Sequence, residues 1–382
     1  VERIRPIVEE HAAGAEANRQ LSRTAYDAMV NAGLFAMLAP TAHGGLEVHP
    51  VVALRVWEAV ARIDPSAAWN LVMNQHAAEF VAWLPMPGRD EMLHDGPTTL
   101  AGGFNPPAVA TRVEGGWRIT GRCPFASGCH QAAWLVMPAL EMDGDHPKLD
   151  PASGQPSLLA MFFPRAEGRI LDTWHTLGMR GTGSTDVAVE DLFVPDRRTT
   201  PVAPLTSPPS GFEGPLFRMF PWTGILGEAT VSVGVAAAAV DAATQLCKTK
   251  TPFYNATPLR EQQLAQFQIG KAKARVEASR DTLYRAAEAA YDDVSTSGGL
   301  LSVEAKIRLQ LAVCFAAEAC AEAVRFVNDV TGTSSIRLEQ PFERYFRDTH
   351  VMLQHSDKSS ARYASAGRLM FGLANDWAWL SF

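Results

Sequence analysis

The hydrophobic period of this chain changes twice, and those two changes constrain its fold more than any single motif. From residue 1 to about 98 the apolar residues recur at helical spacing. Val1–Asn18, Ser22–Ala32 (ending at Gly33) and Val51–Arg62 read as helices. A fourth begins at Asp64-Pro65-Ser66, with proline at its first position. From Thr99 to Thr200 the period drops to two. Strands are expected at Leu100–Phe104, Ala108–Val113, Trp117–Thr120, Ala133–Ala139, Ser157–Phe163, Ile170–Trp174 and Val187–Val194. After Pro221 the helical period returns in four long segments, Trp222–Lys248, Leu259–Ser295, Ser302–Val330 and Phe346–Leu373. A pattern of one period does not pack as the other. The chain is therefore expected to be α+β in three parts: a helical domain at 1–98, a compact β-barrel or sandwich at 99–205, and a C-terminal four-helix bundle at 206–382.

Composition narrows the function. With 382 residues the chain can bury a large core, and its net charge of −7 gives no basic face for nucleic acid. Five cysteines, none in a Cys-x-x-Cys pair, fit reduced thiols in a cytoplasmic protein. The most apolar run, Thr223–Val240, contains Glu228 and is rich in Gly and Ala. It reads as a buried bundle helix, so no membrane span is expected. The N-terminal segment is charged and has no apolar signal core, although a chain that opens on Val leaves a removed leader open. No His/Cys/Asp cluster has metal-ligand spacing, and Gly181-x-Gly183 lies in no βαβ unit, so neither a metal nor an NAD(P)H site is expected.

The stretch Gly121–Trp134 carries the first chemical signal. A strand ends at Gly121, Pro124 and Gly128 exclude a helix, and Trp134-Leu-Val-Met137 leads out as a second strand. Ser127 is thus held on a β scaffold beside Phe125 and His130. Two readings stand on these residues alone. One is a hairpin whose serine caps its own turn. The other is the edge of a flat heteroaromatic cofactor, with Phe125 packed on it and the serine and backbone N–H groups at its ring atoms.

Three further segments resemble the acyl-CoA dehydrogenase superfamily: Ala39-Pro-Thr-Ala-His-Gly-Gly45, Leu177-Gly-Met-Arg-Gly-Thr-Gly-Ser184 with the strand after it, and Arg347-Asp348. The order of helical, β and four-helix parts resembles that superfamily over essentially the whole chain. Medium-chain dehydrogenases place a proton-abstracting glutamate soon after the Arg-Asp. Here that stretch is Leu353-Gln-His-Ser-Asp357, with Ser356 at the glutamate position and His355 before it. A serine without its own base cannot take a C–H proton. On one continuous helix Asp357 points away from the serine's face, and His350 lies about 140° from His355.

The turn Phe125–Gly128, His355 and His76 resemble the branch of flavin-dependent monooxygenases of two-component systems. The resemblance implies an oxygenase component that uses reduced FMN (or FAD) and O2 to hydroxylate an aromatic or other electron-rich small molecule. A separate NAD(P)H:flavin reductase would supply the flavin, and a homotetramer would form through the bundles. It implies catalytic roles for three residues: Ser127 at flavin N5, His355 on the oxygen-binding side, and His76 as general base toward a substrate hydroxyl. Phe125, Ala126 and Ser127 would contact the ring. Gly332, Thr333, Ser334 and Ser335 would hold flavin phosphate, often that of a neighbouring subunit. Trp69, Phe104 and Asn105 would line the substrate pocket. Phenol hydroxylases of this branch have a serine where this chain has Gly102 or Gly103, which implies a bulkier or differently oriented substrate. The alternatives are an acyl-CoA dehydrogenase or oxidase with its base elsewhere, and an inactive flavin-fold binding or structural subunit.

Overall fold

A computed structural model describes residues 1–103, 108–151, 154–202 and 207–381. Phe104 and Asn105 lie outside the described residues. The N-terminal part holds α1 (Arg5–Asn18), α2 (Arg23–Asn31), α3 (Pro50–Ala61), α4 (Pro65–Glu79) and α5 (Met86–Leu93). Asp64 caps α4 by accepting the N–H of Ala67 at 2.8 Å, with Pro65 just inside the helix. α4 is buried nearly all round, which explains why it shows no clean apolar face. It packs against the sheet on one side and the bundle on the other.

The β part is one mixed sheet, not a sandwich of two. Its strands are β1 (Leu100–Gly102), β2 (Ala108–Val113), β3 (Gly116–Cys123), β4 (Trp134–Asp143), β5 (His146–Pro147), β6 (Leu158–Pro164), β7 (Arg169–Leu171), β8 (Asp186–Pro195) and β9 (Thr199–Pro201). They are ordered β7-β8-β3-β2-β4-β6-β9, with β1 and β5 also paired to β4. β1 and β2 lie parallel to successive halves of β4. β3 and β4 therefore flank β2 from opposite edges, and the link from Cys123 to Trp134 is a crossover where a hairpin was one of the readings. Alternate residues of β4 serve two cores. Leu135, Met137 and Ala139 join Trp117, Ile119, Phe163 and Val194 inside the sheet. Val136 faces the helices, with Leu100 and Phe162 against Phe80, Leu84 and Phe217.

The C-terminal part holds α6 (Trp222–Thr249), α7 (Gln263–Ser297), α8 (Val303–Thr331), α9 (Phe342–Leu353) and α10 (Ala361–Met370). α6 is long and apolar enough to cross a membrane, but 94% of its apolar window is buried within the protein. The fourth bundle helix expected from the sequence is in fact two. α9 ends at Leu353, His355 takes an extended conformation (φ −66°, ψ 138°), and Ser356–Lys358 form a 3-10 turn before α10. His355 thus sits in a helix break, which removes the continuous-helix geometry assumed for His350, His355 and Asp357.

Two of the resembling motifs meet at a joint between the sheet and α9. The buried carboxylate of Asp348 accepts the N–H of Met179 at 2.5 Å, and Arg347 donates to the carbonyl of Leu177 at 2.6 Å. A Cβ on Gly178 would lie 2.5 Å from the Arg347 backbone, so only glycine allows this approach. The contacts of Leu177, Gly178 and Met179 with Arg347 and Asp348 position the C-terminal segment.

Candidate active site

α4 and α6 run antiparallel and present the site between them. Trp69 and His76 are two helical turns apart and share one face of α4. Opposite them on α6 stand Gly224 and Glu228, one turn apart. The His76 ring is buried at the glycine: a Cβ on Gly224 would fall 2.0 Å from its Nδ1. Phe220 and Trp379 wall the imidazole at ring-centroid distances of 6.1 and 6.5 Å. Its Nδ1 is buried and has no hydrogen-bond partner among the described residues. Burial pushes its pKa down to about 4, against a smaller opposing pull from Glu228, so the ring is neutral at neutral pH. Gly224→Ala is expected to drive the imidazole out of this slot. A crystal structure of the variant would show a displaced ring, and product yield per O2 consumed should fall even though no polar group has been removed.

At the other end of the same face, Trp69 links two of the expected residues. Its ring lies 5.6 Å from that of His355, edge to face, and its Nε1–H donates to Ser127 Oγ at 3.2 Å. His355 brings with it a cluster that the sequence did not announce. Its Nδ1 lies 2.9 Å from the Glu228 carboxylate and 3.7 Å from that of Asp357. Lys358 is fully buried, with its ammonium 4.4 Å over the Trp69 ring and 3.5 Å from the carbonyl of Glu228. Burial by itself would depress the His355 pKa, but Glu228 and then Asp357 hold it above its ordinary value. Burial raises Asp357 to about 6 and lowers Lys358 to about 8. Glu228, His355 and Asp357 place their ligand atoms within 4.8 Å of one another, a grouping that can hold a metal ion. In this structure the His355 ring lies against both carboxylates, and the buried Lys358 ammonium adds a positive charge beside them. No sequence spacing links Glu228 to the others; only the fold does.

The turn at Ser127 is more tied down than expected. The N–H groups of Ala126, Ser127 and Gly128 are spent on the carbonyls of Thr185, Phe125 and Thr182. They are not available to ring carbonyls or nitrogens, contrary to the expectation for this turn. Asn74 on α4 donates to the Ser127 carbonyl at 3.0 Å, and Ser127 Oγ pairs with Ser184 Oγ at 2.7 Å. Phe125, at φ 61°, is 65% exposed and stands edge-on to Trp174. Gly102 and Gly103 have a packing reason. A Cβ on Gly102 would meet the Val136 carbonyl at 2.1 Å, and one on Gly103 would lie 2.7 Å from the Pro124 carbonyl. No serine fits there, whatever the substrate.

Gly332–Ser335 is not brought to this centre within one chain. Gln310 of α8 donates to the Asp357 carbonyl, whereas the Gly332 turn follows the far end of α8, about 30 Å further on at ~1.5 Å per residue. Ser334 there accepts from Lys250 at 2.8 Å. A small cavity of about 30 Å³ adjoins Gln75 and Glu79, and neither His76, Ser127 nor His355 lines it.

Comparison with known proteins places this geometry. Residues 1–84 match the acyl-CoA dehydrogenase N-terminal domain, and residues 226–359 match the acyl-CoA dehydrogenase C-terminal domain. An indole-3-acetate monooxygenase of Pseudomonas putida is 31% identical over 93% of this chain and 88% of its own length. This chain belongs to the flavin-dependent monooxygenase branch of the acyl-CoA dehydrogenase superfamily. The oxygenase component of an FADH2-dependent resorcinol hydroxylase from Rhizobium sp. is 28% identical over 94% of this chain and 90% of that one. The structure of XiaF from Streptomyces sp., in complex with FADH2 and glycerol, superposes with a TM-score of 0.90 at 26% identity, covering 99% and 95% of the two chains. The protein is therefore the oxygenase component of a two-component system. It works with reduced flavin and O2, and not as the dehydrogenase or inactive subunit held as alternatives. Its residues fit such a cofactor: Phe125 offers an exposed aromatic face, and Ser127 and His355 would bring a hydroxyl and a half-buried imidazole to it.

Proposed function

We propose that the substrate is an electron-rich aromatic ring carrying an ionisable O–H or N–H, and that His76 takes that proton. The observation that carries this is the His76 imidazole itself, neutral and walled by Phe220 and Trp379. The proton goes to Nε2, the nitrogen not packed over Gly224. Loss of the proton raises the electron density of the ring, which is what an electrophilic oxygen needs. Indole-3-acetate and resorcinol, which name two of the relatives, are rings of this kind. Reduced flavin, when bound, supplies the electrons that activate O2. Phe125 would pack on it, Ser127 would meet its N5, and His355, whose Nδ1 faces Glu228, would hold a proton at Nε2 on the oxygen side. Trp69 separates the two histidines and excludes water, without which oxygen is lost as peroxide.

Opposed pKa shifts of the two imidazoles, His76 down and His355 up, support this division of labour: environments that push two like groups apart mark the base and the acid. The phosphate role of Gly332–Ser335 requires a second copy. Phe253, Tyr254, Ile336 and Leu338, all more than three-quarters exposed at that end of the bundle, suit burial between copies in a homotetramer. Five free buried cysteines suit the cytoplasm, where an NAD(P)H-driven reductase would supply FMN or FAD in reduced form. The test is oxygen uptake with reduced flavin in the presence of resorcinol and of indole-3-acetate as probes. Uptake should depend on reduced flavin, and one aromatic product should carry an atom from labelled O2. Label appearing only in aliphatic sulfur or amine compounds would overturn the substrate class.

A further inference from the structure

The direction of the hydrogen bonds behind Ser127 follows from the atoms present. Thr182 Oγ1 lies 2.8 Å from the Met179 carbonyl, which cannot donate, so the threonine hydrogen lies between them. Thr182 must then accept from Ser184 across their 2.6 Å contact. That uses the one hydrogen of Ser184, so the 2.7 Å contact between Ser184 and Ser127 is filled by the hydrogen of Ser127. Trp69 Nε1 can only donate, and it occupies one lone pair of Ser127 Oγ. What Ser127 has left is a single lone pair. The chain is buried, with Ser127, Thr182 and Ser184 each under 5% exposed, so water does not rescramble it.

We propose that Ser184 and Thr182 are the residues by which this oxygenase selects the oxidation state of its flavin. Reduced flavin carries a hydrogen on N5 and donates it; oxidised flavin has only a lone pair there. A Ser127 oxygen that offers nothing but a lone pair bonds the first and repels the second. The selection rests on the reading, given above, that Ser127 meets N5. It would let spent flavin leave for the reductase while reduced flavin is retained. Ser184 and Thr182 do not touch the cofactor in this scheme; they act by holding the hydrogen of Ser127 away from it.

The test compares dissociation constants of oxidised and reduced FMN, and of oxidised and reduced FAD, measured anaerobically by flavin fluorescence or calorimetry without substrate. In Ser184→Ala the hydrogen of Ser127 is freed and can point at N5. In Thr182→Val the hydrogen of Ser184 can turn to Ser127, with the same result. Each variant should bind oxidised flavin more tightly, and the ratio of oxidised to reduced dissociation constants should fall by roughly tenfold, the scale of one buried hydrogen bond made and one mismatch removed. Ser127→Ala should lose the preference by weakening reduced-flavin binding. If Ser127→Ala changes neither affinity, the serine does not meet the flavin and the earlier reading fails. If Ser127→Ala weakens reduced flavin but both other variants, folded by thermal denaturation, keep the wild-type ratio, the hydroxyl chain does not select the redox state.

Discussion

His76→Ala is expected to consume oxygen at close to the wild-type rate with reduced flavin, yet to release it almost wholly as hydrogen peroxide. Product formation should fall by about 10²–10⁴-fold, the usual worth of a positioned general base. His76 stands on the face of α4 that also carries Trp69, but two turns away, and no hydrogen bond ties it to Ser127 or His355. Removing it should leave oxygen chemistry intact and strip only the substrate's activation. An unchanged ratio of product to O2 consumed would remove the base role. The same burial has a stability signature. His76 binds its proton with a pKa of about 4 when folded and about 6.5 when unfolded. The unfolded chain therefore holds more protons between those values, and stability must fall as pH drops from about 6.5 toward 4. His76→Ala should flatten that part of the plot of denaturation midpoint against pH.

Much of this site was legible in the sequence, for physical reasons that also explain what was not. The three-part architecture follows from the change of period between 98 and 99 and its return after Pro221, because each period can bury its apolar residues in only one way. The turn around Ser127 stands out because Pro124 and Gly128 admit no helix, and α4 announces itself by Asp64-Pro65. Glu228 gave no such signal. On a helix buried on every side, one carboxylate looks like an interruption in an apolar run, and its partner, His355, lies more than a hundred residues away. The break at His355 was equally silent, since Leu353–Lys358 contains neither glycine nor proline. The misplaced register of Asp357 follows from that break. The crossover from β3 to β4 was hidden because pairing order depends on β2, a strand earlier in the chain. The Gly102–Gly103 and Arg347-Asp348 segments were visible, but as motifs; their packing roles required seeing what they press against.

Glu228→Gln preserves shape and hydrogen-bonding reach, and it should still cost about 3 kcal/mol or more of folding stability at neutral pH, because breaking a buried ion pair strands the remaining charges. Three ionisable groups meet His355 from two elements, Glu228 on α6 and Asp357 and Lys358 on the turn after α9, while His76 on α4 senses it only at longer range. With both carboxylates ionised and Lys358 charged, the buried set is neutral only if His355 carries a proton. That is a charge-balance argument for the imidazolium, and the raised pKa of His355 agrees with it in direction. A raised histidine pKa contributes stability that is fully present below its unfolded value and is lost as pH rises through the folded value. The lowered pKa of Glu228 contributes stability that is present above its unfolded value and is lost as pH falls through the folded one. The pair is thus most stabilising between the two, and Glu228→Gln should remove both flanks of that window. Titration of His355 by NMR in the flavin-free protein reads the charge directly: the variant should lose its proton at lower pH than the wild type. In turnover, the alkaline limb of the ratio of product to oxygen should move down in pH by the same interval. If the His355 titration is unmoved while stability falls, Glu228 is only a packing residue, and the proton on the oxygen side must be held by Lys358 instead.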